Sequence, residues 1–539
     1  MRKILLWTSI ILLTAAMSHA QPYDILIKNG TVYDGTASPE KVEDIAINGD
    51  KIVALGKDLS GSAKKTIDAK GMIVTPGFID VHNHTDLPIL MVLVEAGTAD
   101  ALSSILTPMW RNNQNYSTQG VTTIVTGLCG GGMPETDTWM EILEKEEFAS
   151  NVYHFIPYGV LRTIVFGEDQ PRQLTDEQLD KLKGMVEKEM QKGAIGVTVG
   201  LEYAPDCYTS TDELVEIAKL VNKYGGLFDA HMRNQTGAIE ANGQPGVLNS
   251  IKEMIEISKR SGCPVQISHI QLNKPWNDVT AKQMYGLIEQ ARAEGVNITA
   301  DQHPYDVGYG ILSYRLPDEF KTGLGVKEKY KTPEGKAQMR EAIKKVFAFL
   351  GPEEIMVTTG PEKYVNKNIK EIAESEGKTP EEAYVDLVCM DQAPYALFHE
   401  ISEEVNRGNM PHDYVFTISD GFTVFEPAMS PHPRFFGNYP HKIRKYVLEE
   451  KLMTLNDAIR SMTSLPAAKF KMTGRGTIAV GNYADIAVID LENFTDRATY
   501  EERGLYSEGV KYLLVNGIVE IDDGEVTEKS GGRPLKLGD

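Results

Sequence analysis

The sequence predicts an α/β fold: a (β/α)8 TIM-like barrel joined to a small β-sandwich domain that draws on both chain ends. Between residues 73 and 419, eight apolar, β-rich runs alternate with amphipathic helical stretches, the texture of parallel βα units. Short strand-like segments with Asn-Gly turns stand at both ends of the chain, and neither set is long enough to bury a sheet alone. A doubly wound open sheet is the rival, but no Gly-x-Gly-x-x-Gly turn follows the first run. Eight parallel strands close naturally into a barrel.

The elements follow in order. Met1-Arg2-Lys3, the apolar run Ile4–Met17 and Ser18-His19-Ala20 have the layout of a secretory signal peptide. They predict export to the periplasm or medium with cleavage after Ala20; the run is too short to cross a bilayer comfortably, and no later one spans it. Residues 21–72 read as short strands, with hairpin signals at Asn29-Gly30 and Asn48-Gly49. Residues 73–473 hold the barrel. Its strand runs are Ile73–Val81, Val121–Thr126, Val152–Tyr158, Ala194–Gly200, Gly226–Ala230, Val265–Ser268, Val296–Ala300 and Asp413–Ser419. Helices are expected over Thr211–Tyr224, where Leu214, Ile217, Ala218 and Val221 share a face, and over Gly246–Ser261. The stretch 303–412 is too long for a βα connection and reads as a lid or subdomain over the barrel mouth. Residues 474–530 return to short strands and a turn at Asn516-Gly517, completing the terminal β-domain.

Composition narrows the function. The formal net charge of −21 repels phosphate backbones and anionic headgroups, which argues against nucleic acid or membrane partners and otherwise says little beyond solubility. Four cysteines in 539 residues make no disulfide framework. Cys207, Cys263 and Cys389 read as space-filling, whereas Cys129 ends an apolar strand in Gly-Leu-Cys-Gly-Gly.

The ends of the runs carry the chemistry. The first ends in Asp80-Val-His82-Asn-His84, the second in Cys129, the fifth in His231, the sixth in His269 and the eighth in Asp420. In a parallel barrel all of these fall on the C-terminal rim. A lone histidine there is more often a hydrogen-bonded core residue, and a lone Ser-Asp-Gly a turn. Convergence of four His, one Cys and one Asp outweighs those readings, since mixed N, S and O donors suit zinc. Six donors exceed one tetrahedral ion. Two sites bridged by Cys129 fit better: a tight one from Cys129, His231 and His269, and a weaker one from His82, His84, Cys129 and Asp420.

Pro76-Gly-Phe-Ile-Asp-Val-His-Asn-His resembles the first-strand signature of the amidohydrolase superfamily. Gln119-Gly-Val-Thr-Thr-Ile-Val-Thr-Gly-Leu-Cys-Gly is similar to the bridging-Cys segment of its D-aminoacylase, or N-acyl-D-amino-acid deacylase, branch. Gly200-Leu-Glu-Tyr-Ala-Pro, Ala230-His-Met-Arg-Asn, Ile267-Ser-His, Thr299-Ala-Asp-Gln, Ser419-Asp-Gly, His432-Pro-Arg and Ser464-Leu-Pro-Ala continue the likeness in order. The resemblance implies a zinc-dependent hydrolase that removes an acyl group from the nitrogen of a D-amino acid. It places Tyr203 and Arg434 at the substrate's carboxylate or acyl part, with Arg233 a further contributor at the rim. Where the family commonly has a lysine two residues after the sixth-strand His, this chain has Gln271; in the family's Gln-Tyr-Pro-Tyr it has His303. Both positions are expected to touch substrate, His303 as a pocket residue and not a ligand.

The expected chemistry is metal-assisted amide hydrolysis, with Asp420 taking a proton from water and returning it to the departing nitrogen. Alternatives are a hydrolase of cyclic amides or of isoaspartyl or D-dipeptides on the same scaffold, and a non-catalytic exported binding protein. The complete ligand and acid–base set argues against the last.

Overall fold

The computed structural model describes residues 23–96, 106–167, 169–322 and 325–539; the signal peptide expected at residues 1–20 lies outside them. The chain ends come together in one nine-stranded sheet. Strands 23–32, 41–48, 51–56, 63–68 and 73–76 come from the N-terminal side, and 486–489, 510–515, 518–522 and 525–526 from the C-terminal side. The small domain is thus a single sheet that wraps a shared core, in which Ile27, Ile47, Ile52, Ile486, Leu514 and Val519 pack together. Its two ends meet where the Gly49 carbonyl lies against Gly517. Asn516 and Gly517 both have positive φ (47° and 77°), as a two-residue turn between right-twisted strands requires. Asn29-Gly30 is a different matter. It does not turn the chain: Asn29 (φ 62°) marks a register shift inside strand 23–32, which continues past it.

The barrel is made of eight parallel strands. Strands 78–80, 121–126 and 151–154 form one hydrogen-bonded set; 156–157, 196–200, 227–231, 265–267, 298–302 and 415–417 form the other. Residues 151–157 are one barrel staff interrupted at Phe155, whose N–H bonds back to the Thr126 carbonyl at 2.9 Å. Closure runs from last strand to first, through a parallel bridge between Asn83 and Gly421 and the Asp420 N–H to the His82 carbonyl at 3.1 Å. The run Ile73–Val81, read from sequence as one barrel strand, divides at Gly77. Ile73–Pro76 pairs with strands 23–32 and 486–489 in the terminal sheet, and only Phe78–Asp80 enters the barrel. A side chain at Gly77 would strike Thr122, so the chain passes between the two sheets at a point with no room for a Cβ.

The outer helices follow their apolar spacing. Helix 211–223 is capped by the Ser210 hydroxyl, which accepts from the Glu213 N–H at 3.2 Å, and it buries Leu214, Ile217, Ala218 and Val221 on the barrel. Helix 246–261 stops at Gly262 (φ 70°). Between the seventh and eighth strands, residues 303–412 build a unit with its own core around Leu312, Met339, Ile355, Tyr384 and Phe398. Its antiparallel sheet is ordered 308–311, 395–398, 355–357. Among the described residues no helix is long and apolar enough to cross a membrane.

The sheet domain is clamped to the barrel by a buried polar knot. Arg475 and Asp485 form an ion pair with side chains 1% and 5% exposed. Asp485 also accepts from the Asn516 N–H at 2.7 Å and from Asn151, at the start of the third barrel strand, at 3.3 Å. Removing one member of such a pair strands the other charge. Arg475→Met should therefore destabilise the protein by about 3–5 kcal/mol, seen as a large fall in Tm. A change of under a degree would contradict this role.

Candidate metal centre

Five of the six donors cluster tightly, and the sixth stands beside them. Cys129 Sγ lies 3.3 Å from His82 Nε2, 3.6 Å from His269 Nε2 and 3.8 Å from His231 Nδ1. Asp420 Oδ1 lies 3.2 Å from His84 Nε2 and 3.6 Å from His82 Nε2. The donor atoms of His82, Cys129 and His269, and separately those of His82, His84 and Asp420, could each hold one metal ion. A tetrahedral zinc ion with ordinary bond lengths separates its S and N donors by about 3.6 Å and its N and O donors by about 3.4 Å. The observed spacings straddle these values, so the residues fit zinc. His231 stands at the edge of the set, its Nδ1 also 2.9 Å from the Tyr203 hydroxyl.

Local backbone geometry aims these donors. Cys129, His269 and Asp420 all have positive φ (52°, 29° and 49°), a region that costs a non-glycine residue roughly 1–3 kcal/mol. Two of these turns are held by neighbouring carboxylates. The His269 N–H donates to Asp301 Oδ1 at 2.6 Å, and the Ile270 N–H to the Asp301 carbonyl at 2.7 Å. Asp80 accepts from the Ser419 N–H at 3.0 Å and the Ser419 hydroxyl at 2.5 Å, fixing the turn before Asp420.

Electrostatics favour a cation. Burial holds His82 and His269 well below the usual histidine range, so both imidazoles are neutral with lone pairs to give. Burial, with Asp420, Asp229 and Asp301 nearby, pushes the Cys129 thiol well above its ordinary value. A thiolate forms there only when a positive ion arrives to offset those charges. For Asp420 burial acts upward, but the Arg434 guanidinium and the hydrogen bond with His84 outweigh it and keep the carboxyl ionised. His82 is fully buried while the His84 and Asp420 side chains are 17% and 16% exposed, so the cluster has one dry and one wet side.

The substrate-side expectations divide. Tyr203 touches His231 and stacks on Tyr314 with ring centres 4.5 Å apart. Arg434 is buried, its Nη2 3.0 Å from Asp420 Oδ2 and its Nη1 3.3 Å from His303 Nε2. Burial and the neighbouring guanidinium push His303 down to about 3, leaving it neutral. Gln271 lies behind His269: its Nε2 donates to Gln235 Oε1 at 3.2 Å, and the Gln235 amide is 2.9 Å from His269 Nδ1. Arg233 does not join the site. Its guanidinium is spent on Glu253 at 2.9 Å and 3.1 Å and on the carbonyls of Cys207 and Thr209. It ties the loop after the fourth strand to helix 246–261, a structural task.

Sequence reasoning missed the residues that back the candidate donors. Asp301 faces His82 Nδ1 at 3.8 Å, and Glu202 Oε2 lies 2.9 Å from His231 Nε2. Burial acts upward on Glu202, but the bond to His231 and the charge of Arg315 win and hold it at about 2. The signal was available for Glu202 alone, a carboxylate just past the end of the fourth strand, since ligating histidines usually pass their second N–H to such a group.

Comparison with known proteins agrees with this architecture. The profile of the Amidohydrolase family matches residues 426–519. The D-aminoacylase of Alcaligenes xylosoxydans xylosoxydans is 27% identical over 96% of this chain and 99% of its own length. A solved D-aminoacylase with a binuclear metal centre, in which one metal activates and the second attenuates, is 26% identical with a TM-score of 0.78, covering 96% of this chain and all of that one. The N-acyl-D-glutamate deacylase of Bordetella bronchiseptica, solved with zinc and a phosphonate mimic of the tetrahedral intermediate, is 25% identical with a TM-score of 0.78 over the same 96% and 100%. Fold, cluster and relatives together define the class: a metal-dependent amidohydrolase. Within that superfamily the likeness is to the D-aminoacylase and N-acyl-D-amino-acid deacylase branch, along nearly the whole chain.

Two consequences are measurable. Cys129→Ala should leave purified protein with little bound metal by elemental analysis; wild-type content would show that the sulfur is not a shared ligand. Binding must also expel the Cys129 proton. Zinc affinity, read by chelator competition, should therefore climb with pH between 6 and 8, by up to about tenfold per unit, and a flat profile would contradict a protonated thiol.

Proposed function

We propose that the chain is a zinc-dependent hydrolase of N-acyl-D-amino acids. The observation that carries this reading is the placement of Asp420, an ionised carboxylate at the wet edge of the Cys129–histidine cluster and bonded to Arg434. Cys129, His231 and His269 would hold the tight ion, and His82, His84, Cys129 and Asp420 the weaker second one. When bound, zinc supplies a Lewis acid that polarises the amide carbonyl and makes water a better nucleophile at neutral pH.

The chain's own residues do the rest. Asp420 Oδ2 is fixed by Arg434, which sets the direction in which the carboxylate accepts a proton from water and hands it to the departing nitrogen. Arg434 keeps one further donor: its Nε–H is buried without a partner, and a substrate carboxylate or acyl oxygen would satisfy it. The guanidinium itself lies 6.0 Å from the Tyr309 ring centre and 5.8 Å from that of Phe435, which stiffens it against reorientation. Tyr203 places its hydroxyl beside His231 Nδ1, within reach of an oxyanion forming at the cluster. The D-amino acid and acyl preference draw support from the relatives alone. The basic–apolar–small pattern of residues 1–20 supports export, and the exported chain would begin at Gln21.

Asp420→Asn is expected to retain most of its zinc while kcat on an N-acyl-D-amino acid falls by about 10²–10⁴-fold. Near-normal turnover would remove Asp420 from the proton transfers. Chelation should abolish hydrolysis and zinc should restore it. If a panel of N-acyl-D-amino acids is untouched while hydantoins or isoaspartyl dipeptides are cleaved, the substrate class is wrong and the metal chemistry stands.

A further inference from the structure

We propose that Arg315, carried by the 303–412 insertion, is a positioning residue for the metal ligand His231, acting through Glu202. Three contacts in series make the case. His231 Nε2 lies 2.9 Å from Glu202 Oε2, and the other oxygen, Oε1, takes Arg315 Nη1 at 3.0 Å. Arg315 Nη2 bonds to Glu400, a carboxylate only 2% exposed. Glu400 is itself anchored, its carbonyl accepting from Trp276 Nε1 at 2.8 Å and the Lys274 N–H at 3.0 Å.

The chemistry follows from the imidazole. An N–H donated from Nε2 to an ionised carboxylate fixes the tautomer that leaves the lone pair on Nδ1, the nitrogen facing Cys129 Sγ at 3.8 Å. Glu202 can hold that role only while its charge is balanced and its second oxygen is restrained. Arg315 does both, because its planar fork reaches two carboxylates at once, which a lysine ammonium on a flexible stem does not reproduce. Removing the fork leaves the half-buried Glu202 and the buried Glu400 without the cation between them. Glu202 is then free to swing away, and His231 loses the partner that fixes its tautomer. A second residue of the same insertion, Tyr314, stacks on Tyr203, which in turn packs against the same histidine. Metal retention in the barrel thus depends on an element inserted between the seventh and eighth strands.

The inference rests on His231 being a metal ligand, so the test includes that residue. Zinc affinity of the full chain would be measured by chelator competition for wild type, His231→Ala, Glu202→Gln, Arg315→Met and Arg315→Lys, alongside thermal unfolding of the metal-free proteins. Glu202→Gln and Arg315→Met should weaken zinc by about 10–100-fold, with Arg315→Lys regaining only part. Wild-type affinity in Arg315→Met, with His231→Ala impaired, would overturn the positioning role. Wild-type affinity in His231→Ala would instead sink the ligand reading and this inference with it. Should Arg315→Met unfold early in the metal-free state, Glu202→Gln decides: undiminished affinity there overturns the proposal.

Discussion

One interaction organises this protein: a sulfur placed where it cannot be charged unless a cation joins it. Cys129 sits among three imidazole nitrogens at 3.3–3.8 Å with carboxylates beyond them. Left alone, that thiol stays protonated. With a zinc ion between the donors, the thiolate, the neutral histidines and Asp420 become one balanced set. The cost of burying these groups is the reason the metal belongs there.

Everything around the cluster holds its donors in place. The six come from the ends of five barrel strands or the turns after them, His82 and His84 sharing the first, so strand register and barrel closure set their spacing. Three of them occupy positive-φ turns; Asp301 bonds the backbone at His269, Asp80 the backbone before Asp420, and Thr198 the backbone after Cys129. The knot of Arg475, Asp485, Asn151 and Asn516 sets the terminal sheet against the third strand. The insertion meets His231's neighbours, Arg315 bonding Glu202 and Tyr314 stacking on Tyr203. These are different scales of one task, keeping polar groups converged against their mutual desolvation.

The barrel was legible because it rests on patterns of one-dimensional period: apolar runs, helical spacing and the residue at each run's end. Those signals located His82, His84, Cys129, His231, His269 and Asp420. They failed where meaning depends on a partner far along the chain. The run from Ile73 divides between two sheets because Gly77 passes Thr122, which no local pattern encodes. Asn29-Gly30 looks like Asn48-Gly49 in sequence, yet strand 23–32 has neighbours on both sides and absorbs the extra residue as a bulge. Arg233 stands two residues from the candidate donor His231 and still turns away, since Glu253 on the next helix captures it. Arg315 and Glu400 meet only after the insertion folds.

The central claim concerns the sulfur, and X-ray absorption at the zinc edge reads it directly. Zinc-loaded protein should give a scattering path of about 2.3 Å from one sulfur beside nitrogen and oxygen shells near 2.0–2.1 Å. A first shell of nitrogen and oxygen only, with the protein fully loaded, would contradict the account at its root.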